Sequence, residues 1–351
     1  PLSARESCCL LPPHILWEMR LPPASLLDRR VPRTAAAVLA TTAVAQDAAL
    51  AGDSHPRGAC FATPDKRPNS VDADSLRVGT AHAYTARMCA ASRWQEGQRP
   101  DSLFEDPLAY ALAGREGRKM PMGAWIMVPR TRYGDDLMED RYFNSGCRQL
   151  VLLGAGMDAR AFRLRLPELR VFEVDQPTLF DVKEQVLEQQ ASELTVGSRH
   201  VVPADFSQPS HWARQLESMP QFRKEEPTLW LLEGLVMYLT DEQAELLMRD
   251  IGRLSGAGSV VFHDAISASY VRGNIVVGGA RFLSGSDVYA QLWSRHAGFS
   301  SRNSVVLDFE RAVGVDRARR RLQVSTDMPV QATPHRCRGK SVVLFVQVEK
   351  D

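Results

Sequence analysis

The sequence has few cysteines, and no two of them have the spacing of a metal site or of a C-x-x-C redox motif. The cysteines are Cys8, Cys9, Cys60, Cys89, Cys147 and Cys337. Their scattered positions predict reduced thiols and argue against both a disulfide framework and a zinc centre. We therefore expect a fold that depends on its apolar core and binds no metal.

Long apolar runs are also missing, because no stretch approaches the roughly 20 apolar residues that a membrane-spanning helix requires. We accordingly expect a soluble protein without a membrane partner, and the cytoplasm is the simplest location. An excess of charge is missing too, since 43 basic residues face 42 acidic ones. This balance does not favour a nucleic-acid partner, which would need a broad basic face. The sequence leaves the oligomeric state open.

Residues 1–70 differ in composition from the rest of the chain and show no lasting periodicity. Within them, Arg29, Arg30 and Arg33 precede a mildly apolar Ala/Thr/Val stretch that ends as Ala-Val-Ala at residues 43–45. This arrangement resembles a signal segment. We predict that residues 1–70 are a disordered or targeting extension, so that organelle targeting or export stays open as an alternative location.

The remaining chain, residues 71–351, has the pattern of one α/β domain, and 44% hydrophobic residues overall suffice for a large core. Residues 71–145 are predicted to form a helical cover, including a helix around "DPLAYALAG" that Gly114 closes. In residues 146–351, the predicted strands are "QLVLL", "RVFEV", "HVVPA", "TLWLLE", "SVVFHD", "SVVLDF" and "SVVLFVQVE". Their spacing leaves room for crossover helices. It predicts a doubly wound, mostly parallel, seven-stranded sheet whose last strand suits an antiparallel addition at the far side.

One crossover helix can be delimited closely. Thr240 and Gln243 have the spacing of a capping box, which marks a helix start. The apolar residues that recur on one face after it are Ala244, Leu247, Ile251 and Leu254. Gly256 follows as a stop signal. The preceding strand should therefore end near Glu233.

A glycine turn follows the first predicted strand in "QLVLLGAGMDARAF", residues 149–162. Gly154 and Gly156 indicate a sharp passage from a strand into a helix, with the backbone open to a ligand. The pattern fits loosely a dinucleotide-binding turn. Asp158 argues against a diphosphate, because two like charges 4 Å apart repel by roughly 4 kcal/mol at an effective dielectric constant of about 20. S-adenosyl-L-methionine carries net positive charge and suits an acidic site.

Further acidic residues come at the ends of the other predicted strands. Asp175 lies about 20 residues beyond the glycines, at the distance of a carboxylate that accepts hydrogen bonds from ribose hydroxyls. Asp205 and Phe206 follow the third strand and are expected to meet the adenine. Glu233 ends the fourth strand and Asp264 the fifth. Because parallel strands end at one edge of a sheet, these residues predict an acidic rim around the cofactor.

Taken together, these segments resemble the leucine carboxyl methyltransferase family, most closely its bacterial-type branch of S-adenosyl-L-methionine-dependent methyltransferases. The matching stretches, in family order over about residues 76–260, are "GTAHAYTAR", "LFEDPLAYALAG", "RTRYGDD", "VLLGAGMDARAFRL", "VFEVDQP", "ADFSQPSHW" and "PTLWLLEGLVMYL". The resemblance implies a class I methyltransferase fold of Rossmann-like type. It also implies bound S-adenosyl-L-methionine and methyl transfer to a carboxylate or hydroxyl oxygen.

The residues that we predict to contact the cofactor are Gly154, Gly156, Asp158, Asp175, Asp205, Phe206, Glu233 and an arginine of "RTRYGDD". The resemblance implies that this arginine holds the cofactor's carboxylate. Arg130 and Arg132 both qualify, and we prefer Arg132. Glu233 would border both the methionine end of the cofactor and the acceptor pocket. Ala159 departs from the threonine that is usual in this branch, so one helix-capping hydroxyl is absent.

The predicted function is O-methylation of a small molecule. A carboxylate acceptor is already ionised and needs no base, whereas a hydroxyl acceptor would need one. We name Glu233 and Tyr238 as the catalytic candidates and consider His263 as a third possible base. A protein C-terminal carboxylate is an alternative acceptor. Alternatives of another class are an NAD(P)-dependent oxidoreductase and a non-catalytic cofactor-binding module.

Overall fold

The computed structural model of this chain describes residues 81–308 and 343–351, so the predicted extension over residues 1–70 lies outside the described residues. The α-helices that precede the first strand in the described part are α1 (Ala81–Gly97), α2 (Ala109–Lys119) and α3 (Ala124–Asn144). Gly114, which was predicted to close its helix, has a φ of +61° and interrupts α2, but α2 continues beyond it to Lys119. Every helix in the described part is too short or too polar to cross a bilayer.

The seven predicted strand segments all correspond to observed strands, and a short hairpin, β6–β7, adds two more. The strands are β1 (Gln149–Leu153), β2 (Leu166–Asp175), β3 (Val196–Pro203), β4 (Thr228–Leu232), β5 (Val260–Ile266), β6 (Val276–Val277), β7 (Ala280–Arg281), β8 (Ser300–Asp308) and β9 (Val343–Glu349). The helices among them are α4 (Pro177–Gln189), α5 (His211–Glu217), α6 (Asp241–Arg253), α7 (Ala268–Val271) and α8 (Tyr289–Ala297).

The main sheet has seven strands in the order β3-β2-β1-β4-β5-β9-β8. Strands β1 to β5 pair in parallel with one another, whereas β9 is antiparallel to both β5 and β8. This confirms the mostly parallel α/β sheet of a class I methyltransferase fold. The antiparallel direction of β9 is as predicted, but β9 lies inside the sheet. Its side chains Phe345, Val346 and Val348 are buried, as suits a strand with neighbours on both sides.

The glycine turn after β1 does not lead into an α-helix. Only a single 3₁₀ turn, Arg160–Phe162, lies between β1 and β2. The sheet face that a crossover helix would have covered there is covered by α3, whose Leu137 and Met138 belong to the same apolar cluster as Leu150 of β1. The predicted strand-to-helix passage is therefore corrected, because a helix from earlier in the chain fills that place.

The crossover helix α6 begins as its sequence predicted. Thr240 Oγ1 accepts a hydrogen bond from the Gln243 backbone amide at 3.3 Å, and Gln243 Oε1 accepts from the Thr240 amide at 2.9 Å. Gly256 follows the helix where the backbone passes close to Glu225, because a Cβ atom there would lie 2.3 Å from the Glu225 carbonyl oxygen. The capping box thus positions the segment between β4 and α6, which borders the site described next.

Candidate functional site

A cavity of about 350 Å³ lies at the carboxyl ends of β1, β2, β3, β4 and β5. The strand order changes direction between β1 and β4, which is where open α/β sheets bind their ligands. Helices α1 and α3 and the hairpin β6–β7 contribute the other walls. The predicted site residues that line this cavity are Gly154, Gly156, Asp158, Asp175, Asp205, Phe206, Glu233 and Tyr238.

Arg130, and not Arg132, lines the cavity. The Arg132 side chain is 39% exposed on the outer side of α3, and its Nε donates to Asp136 Oδ2 at 3.0 Å. The two arginines are two residues apart, which turns their side chains about 200° around the helix. The preference for Arg132 is therefore corrected to Arg130, because only one of these two helix faces meets the cavity.

Arg130 keeps hydrogen-bond donors for a ligand. Its Nη1 donates to Asp264 Oδ2 at 2.7 Å, while its Nη2 donates to Met127 Sδ at 3.0 Å and Cys89 Sγ at 3.8 Å, which are weak acceptors. Its Nε is buried without a hydrogen-bond partner among the described residues, at 3.6 Å from Glu233 Oε2. A buried guanidinium with spare donors is suited to an anionic group.

Asp175 closes the glycine turn. Its Oδ2 accepts from the Gly156 amide and its Oδ1 from the Gln176 amide, both at 2.7 Å. Gly154 and Gly156 have φ angles of +72° and +51°, which favour glycine. Burial raises the pKa of Asp175, although the two amides oppose this. An amide that could have held a diphosphate is therefore taken by a carboxylate of the protein.

Asp158 is an ion-paired carboxylate and does not add unbalanced negative charge to the cavity. Its Oδ2 accepts from Arg160 Nη1 and its Oδ1 from the Arg160 backbone amide, each at 2.7 Å. Burial alone would raise the pKa of Asp158, but Arg160, with Arg93 and Arg163, holds it below its usual value. The predicted acidic residues all line the cavity, but the charge of Asp158 is balanced by arginines that the sequence pattern did not indicate.

Arg160 joins three carboxylates beneath the cavity. Its Nε donates to Asp135 Oδ1 at 2.8 Å, and its Nη2 donates to Glu233 Oε1 at 2.7 Å, in addition to the bond with Asp158. The Arg160 side chain is 2% exposed. Gly134 of α3 leaves room for these groups, since a Cβ atom there would lie 2.6 Å from Glu233 Oε1. The sequence around Gly134 did not predict that this glycine makes room for the ion pairs.

The carboxylates after β4 and on β5 are also paired with arginines. Glu233 lies between Arg160 and Arg130, and burial raises the pKa of Glu233 while these two arginines oppose the rise. Asp264 is fully buried and accepts from Arg130 and, at 2.6 Å, from the Gly234 amide. The β4–β5 side of the cavity therefore presents Arg130 and Glu233 side by side.

Tyr238 lies between two other rings on the β4–β5 side of the cavity. Its ring centroid is 5.2 Å from that of His82 and 5.2 Å from that of Phe282, with interplanar angles of 88° and 72°. Burial raises the pKa of Tyr238, so its hydroxyl stays protonated at neutral pH. His82 and Phe282 both line the cavity, and the sequence analysis singled out neither of them.

His263 belongs to the core and does not line the cavity. Its Nε2 accepts from Trp293 Nε1 at 2.9 Å, and its Nδ1 lies 3.3 Å from the Asp264 carbonyl oxygen. Burial lowers the pKa of His263 to about 4. The side chain is therefore a neutral, satisfied core histidine, and its position removes it from the possible bases.

Asp205 and Phe206 follow β3 and line the cavity on the same side as Asp175. Asp205 Oδ1 accepts from the Ser207 amide at 2.8 Å, which orders the loop. The Phe206 ring lies 6.5 Å from the ring of Trp212, between centroids, at the edge of the core. Because β3 and β2 lie on one side of β1 and β4 and β5 on the other, the cavity has two distinct sides.

Comparison with known proteins adds sequence evidence to this geometry. The profile of the leucine carboxyl methyltransferase family matches residues 86–252. A relative from Parafrankia sp., named as a candidate S-adenosyl-L-methionine-dependent methyltransferase, is 40% identical over 198 residues, covering 50% of this chain and 62% of the relative. A Streptomyces coelicolor relative of the same name is 39% identical over 191 residues, covering 50% of this chain. The chain thus spans less than two thirds of each of these relatives, 62% and 66%.

A longer match supports the same family. A Mycobacterium sp. protein with the same candidate name is 30% identical over 274 residues, covering 71% of this chain and 85% of the relative. A crystal structure of a candidate methyltransferase from Thermobifida fusca covers 79% of this chain and 97% of its own, with a TM-score of 0.46 and 15% identity. The strand order, and not that likeness, establishes the fold. The chain belongs to the leucine carboxyl methyltransferase family of S-adenosyl-L-methionine-dependent methyltransferases.

Proposed function

We propose that this chain transfers the methyl group of S-adenosyl-L-methionine to a carboxylate oxygen of a small molecule and forms a methyl ester. One observation carries the proposal: Arg130, a buried guanidinium with a spare donor, lines the same cavity as Asp175 beside the glycine turn. These two groups match the charged amino-acid end and the ribose end of this cofactor. The family to which the chain belongs supports the same choice.

The residues of the cavity fit the cofactor at each of its polar groups. Arg130 would hold its carboxylate through charge-assisted hydrogen bonds. Glu233, whose Oε2 lies 3.6 Å from Arg130 Nε, would accept from its ammonium group. Asp175 would accept from the ribose hydroxyls. Asp205 and Phe206, on the same side as Asp175, would meet the adenine.

A nicotinamide dinucleotide fits the same residues less well. Its diphosphate needs free backbone amides at the start of a helix. In this chain the Gly156 amide already donates to Asp175, and the turn leads into the 3₁₀ turn Arg160–Phe162 in place of an α-helix. These two features support S-adenosyl-L-methionine over a nicotinamide cofactor. Repulsion between a diphosphate and an unpaired Asp158 no longer supports this choice, because Asp158 is paired with Arg160.

A carboxylate acceptor is favoured because none of the three bases considered is well placed to take a proton. Tyr238 stays protonated, since burial raises its pKa. His263 lies outside the cavity. Glu233 is held between Arg160 and Arg130 and is assigned to the cofactor's ammonium group. An acceptor that arrives already ionised removes the need for a base.

In this mechanism the protein binds and orients the reactants and moves no proton. When bound, the cofactor supplies a methyl group whose bond to sulfur breaks, with the electron pair left on sulfur, as the bond to the acceptor oxygen forms. Arg130 and Asp175 fix the two ends of the site, while Tyr238 and Phe282 shield its β4–β5 side from water. Such positioning alone can supply several kcal/mol of catalysis.

A hydroxyl acceptor is the second candidate, and one observation favours it. His82 lines the cavity with its ring against that of Tyr238, so an imidazole is available on the acceptor side. Histidine is the most frequent general base in enzymes. In that case the product would be a methyl ether, and the reaction would depend on His82.

Turnover with isotopically labelled methyl donor and a cell extract, followed by mass spectrometry, tests the proposal. We expect a labelled product that mild alkali hydrolyses to methanol, as a methyl ester does and an ether does not. We also expect a rate that is flat between about pH 6 and 8, because no protein base titrates in the reaction. A rate that rises with pH and loses this rise in His82→Gln would favour the hydroxyl acceptor. Cofactor binding without any labelled product would favour a non-catalytic module.

A further inference from the structure

The β4–β5 side of the cavity differs in chemistry from the side that contains Asp175 and Asp205. From this difference we infer that the acceptor is a small monocarboxylic acid whose remaining part is an uncharged aromatic group. This inference rests on the proposed function and specifies its substrate class. The apolar side chains that line the cavity from β5, from the segment after β4 and from the hairpin include Ile266, Met237, Val277 and Phe282.

Three rings form the surface that an aromatic acceptor would meet. Tyr238 lies edge-to-face between His82 and Phe282, with both centroids at 5.2 Å. Edge-to-face and offset packing are the arrangements that aromatic rings prefer, and each pair adds to the gain from burial alone. An aromatic ring of the acceptor could pack edge-to-face or offset against these three rings, whereas a straight aliphatic chain has no ring to pack in this way.

The charged groups on this side are bonded to one another, and in the proposed function the cofactor takes the remaining donors and acceptors of Arg130 and Glu233. Asp264 is bonded to Arg130 at 2.7 Å, and Glu233 is bonded to Arg160 at 2.7 Å. A second charge on the acceptor would therefore be desolvated against apolar side chains. The reacting carboxylate avoids this cost, because the sulfonium of the methyl donor carries the opposite charge. A monocarboxylate is accordingly preferred over a dicarboxylate.

The hairpin β6–β7 limits the size of the acceptor. Gly278 and Gly279 have φ angles of +56° and +86°, and a Cβ atom at Gly278 would lie 2.6 Å from Thr85 Cγ2 of α1. The hairpin tip thus packs directly on α1. The Leu283 amide, next to Phe282, donates to the Met237 carbonyl oxygen at 2.7 Å and holds the base of the hairpin.

The volume of the cavity supports a small acceptor as well. Its volume of about 350 Å³ is near the lower end of ligand pockets, which run from about 300 to 1,000 Å³. The cofactor must occupy a share of it. Because the hairpin packs on α1, the cavity space beside the cofactor is better suited to a small acid than to the C-terminal segment of another protein.

Calorimetric binding of two acids to the protein saturated with sinefungin tests this inference without turnover. Sinefungin is an analogue of S-adenosyl-L-homocysteine in which a carbon bearing a protonated amine replaces the sulfur, so it keeps the positive charge of the methyl donor. The probes are 3-phenylpropanoate, an aromatic monocarboxylate, and butanedioate, a dicarboxylate. We expect 3-phenylpropanoate to bind at least about tenfold more tightly than butanedioate. Phe282→Ala should weaken 3-phenylpropanoate binding at least about tenfold. Phe282→Leu, which keeps an apolar side chain, should give an intermediate loss.

Phe143→Ala is the matched control, because this aromatic side chain is 68% exposed on α3 and does not line the cavity. It should leave the affinity for 3-phenylpropanoate within about twofold, and all three variants should bind sinefungin like the wild type, which shows that they fold. Two results would overturn this inference without affecting the proposed function. One is tighter binding of butanedioate than of 3-phenylpropanoate, and the other is equal affinity of wild type and Phe282→Ala for 3-phenylpropanoate. If sinefungin itself does not bind, the proposed function fails and this inference with it.

Discussion

Replacing Arg160 by leucine is expected to lower the free energy of unfolding by about 3–5 kcal/mol, the range seen when one partner of a buried ion pair is removed. Asp135, Asp158 and Glu233 all accept hydrogen bonds from this one guanidinium, whose side chain is 2% exposed. Leucine would leave Asp158 and Glu233 as buried carboxylates without this partner. Urea denaturation, followed by circular dichroism, measures the change.

Arg165→Leu is the control for this prediction, because Arg165 lies five residues further on and is exposed. It should change the free energy of unfolding by less than about 0.5 kcal/mol. If Arg160→Leu unfolds at the same urea concentration as Arg165→Leu, Arg160 does not hold the three carboxylates together. Arg160→Lys should fall between the two, since an ammonium keeps the charge but cannot reach three carboxylates with a planar fork.

Replacing Arg130 by methionine is expected to weaken binding of S-adenosyl-L-methionine about 100-fold, which corresponds to roughly 2.7 kcal/mol. Arg130 is the buried guanidinium that lines the cavity, and the acceptors of its Nη2 are the weakly accepting sulfur atoms of Met127 and Cys89. Methionine cannot hydrogen-bond a carboxylate in this way, so the cofactor's carboxylate would be buried without its partner. Isothermal titration calorimetry measures the loss directly.

Arg132→Met provides a matched control two residues away on α3. Its side chain is 39% exposed and donates to Asp136 and to the Leu103 carbonyl oxygen, so cofactor affinity should stay within about twofold. Arg130→Lys, which keeps a charge toward Asp264, separates loss of binding from loss of folding and should show an intermediate affinity. Equal losses in Arg130→Met and Arg132→Met would contradict the assignment of Arg130.

The strands could be predicted from the sequence because each is a short apolar run, and the parallel pairing of β1 to β5 could be predicted because they follow one another at crossover spacing. The same holds for the start of α6, since a capping box is a local signal whose two bonds involve only Thr240 and Gln243. The place of β9 inside the sheet was missed. The first half of its run "SVVLFVQVE" is apolar on both faces of the strand, which suits a strand in the interior of a sheet. We had expected a strand at the far side of the sheet because the run comes last in the sequence.

The choice of Arg130 over Arg132 could have been made from the sequence. Arg132 and Asp136 have the i, i+4 spacing of an exposed ion pair, and the structure contains this pair. That spacing indicates a solvated helix face and would have directed the assignment to Arg130. The family motif alone could not separate them, because both arginines lie in the same seven-residue stretch.

Other parts of the site could not be predicted because they depend on long-range contacts. Arg160 meets Asp135 from α3 and Glu233 from the end of β4, and neither partner is near it in sequence. Without these pairs, Asp158 suggested an unbalanced negative charge, whereas the structure pairs this carboxylate with Arg160. The glycine turn likewise suggested a following helix, whereas α3 covers that part of the sheet.

We infer that the cavity holds S-adenosyl-L-methionine with its ribose at Asp175. The most direct measurement is a calorimetric titration of the wild type and of Asp175→Ala with S-adenosyl-L-methionine and, separately, with NAD⁺. We expect the wild type to bind the methionine cofactor and not NAD⁺, and we expect Asp175→Ala to weaken this binding at least about tenfold, or about 1.4 kcal/mol. Tight binding of NAD⁺, or an affinity for S-adenosyl-L-methionine that Asp175→Ala leaves unchanged, would contradict it.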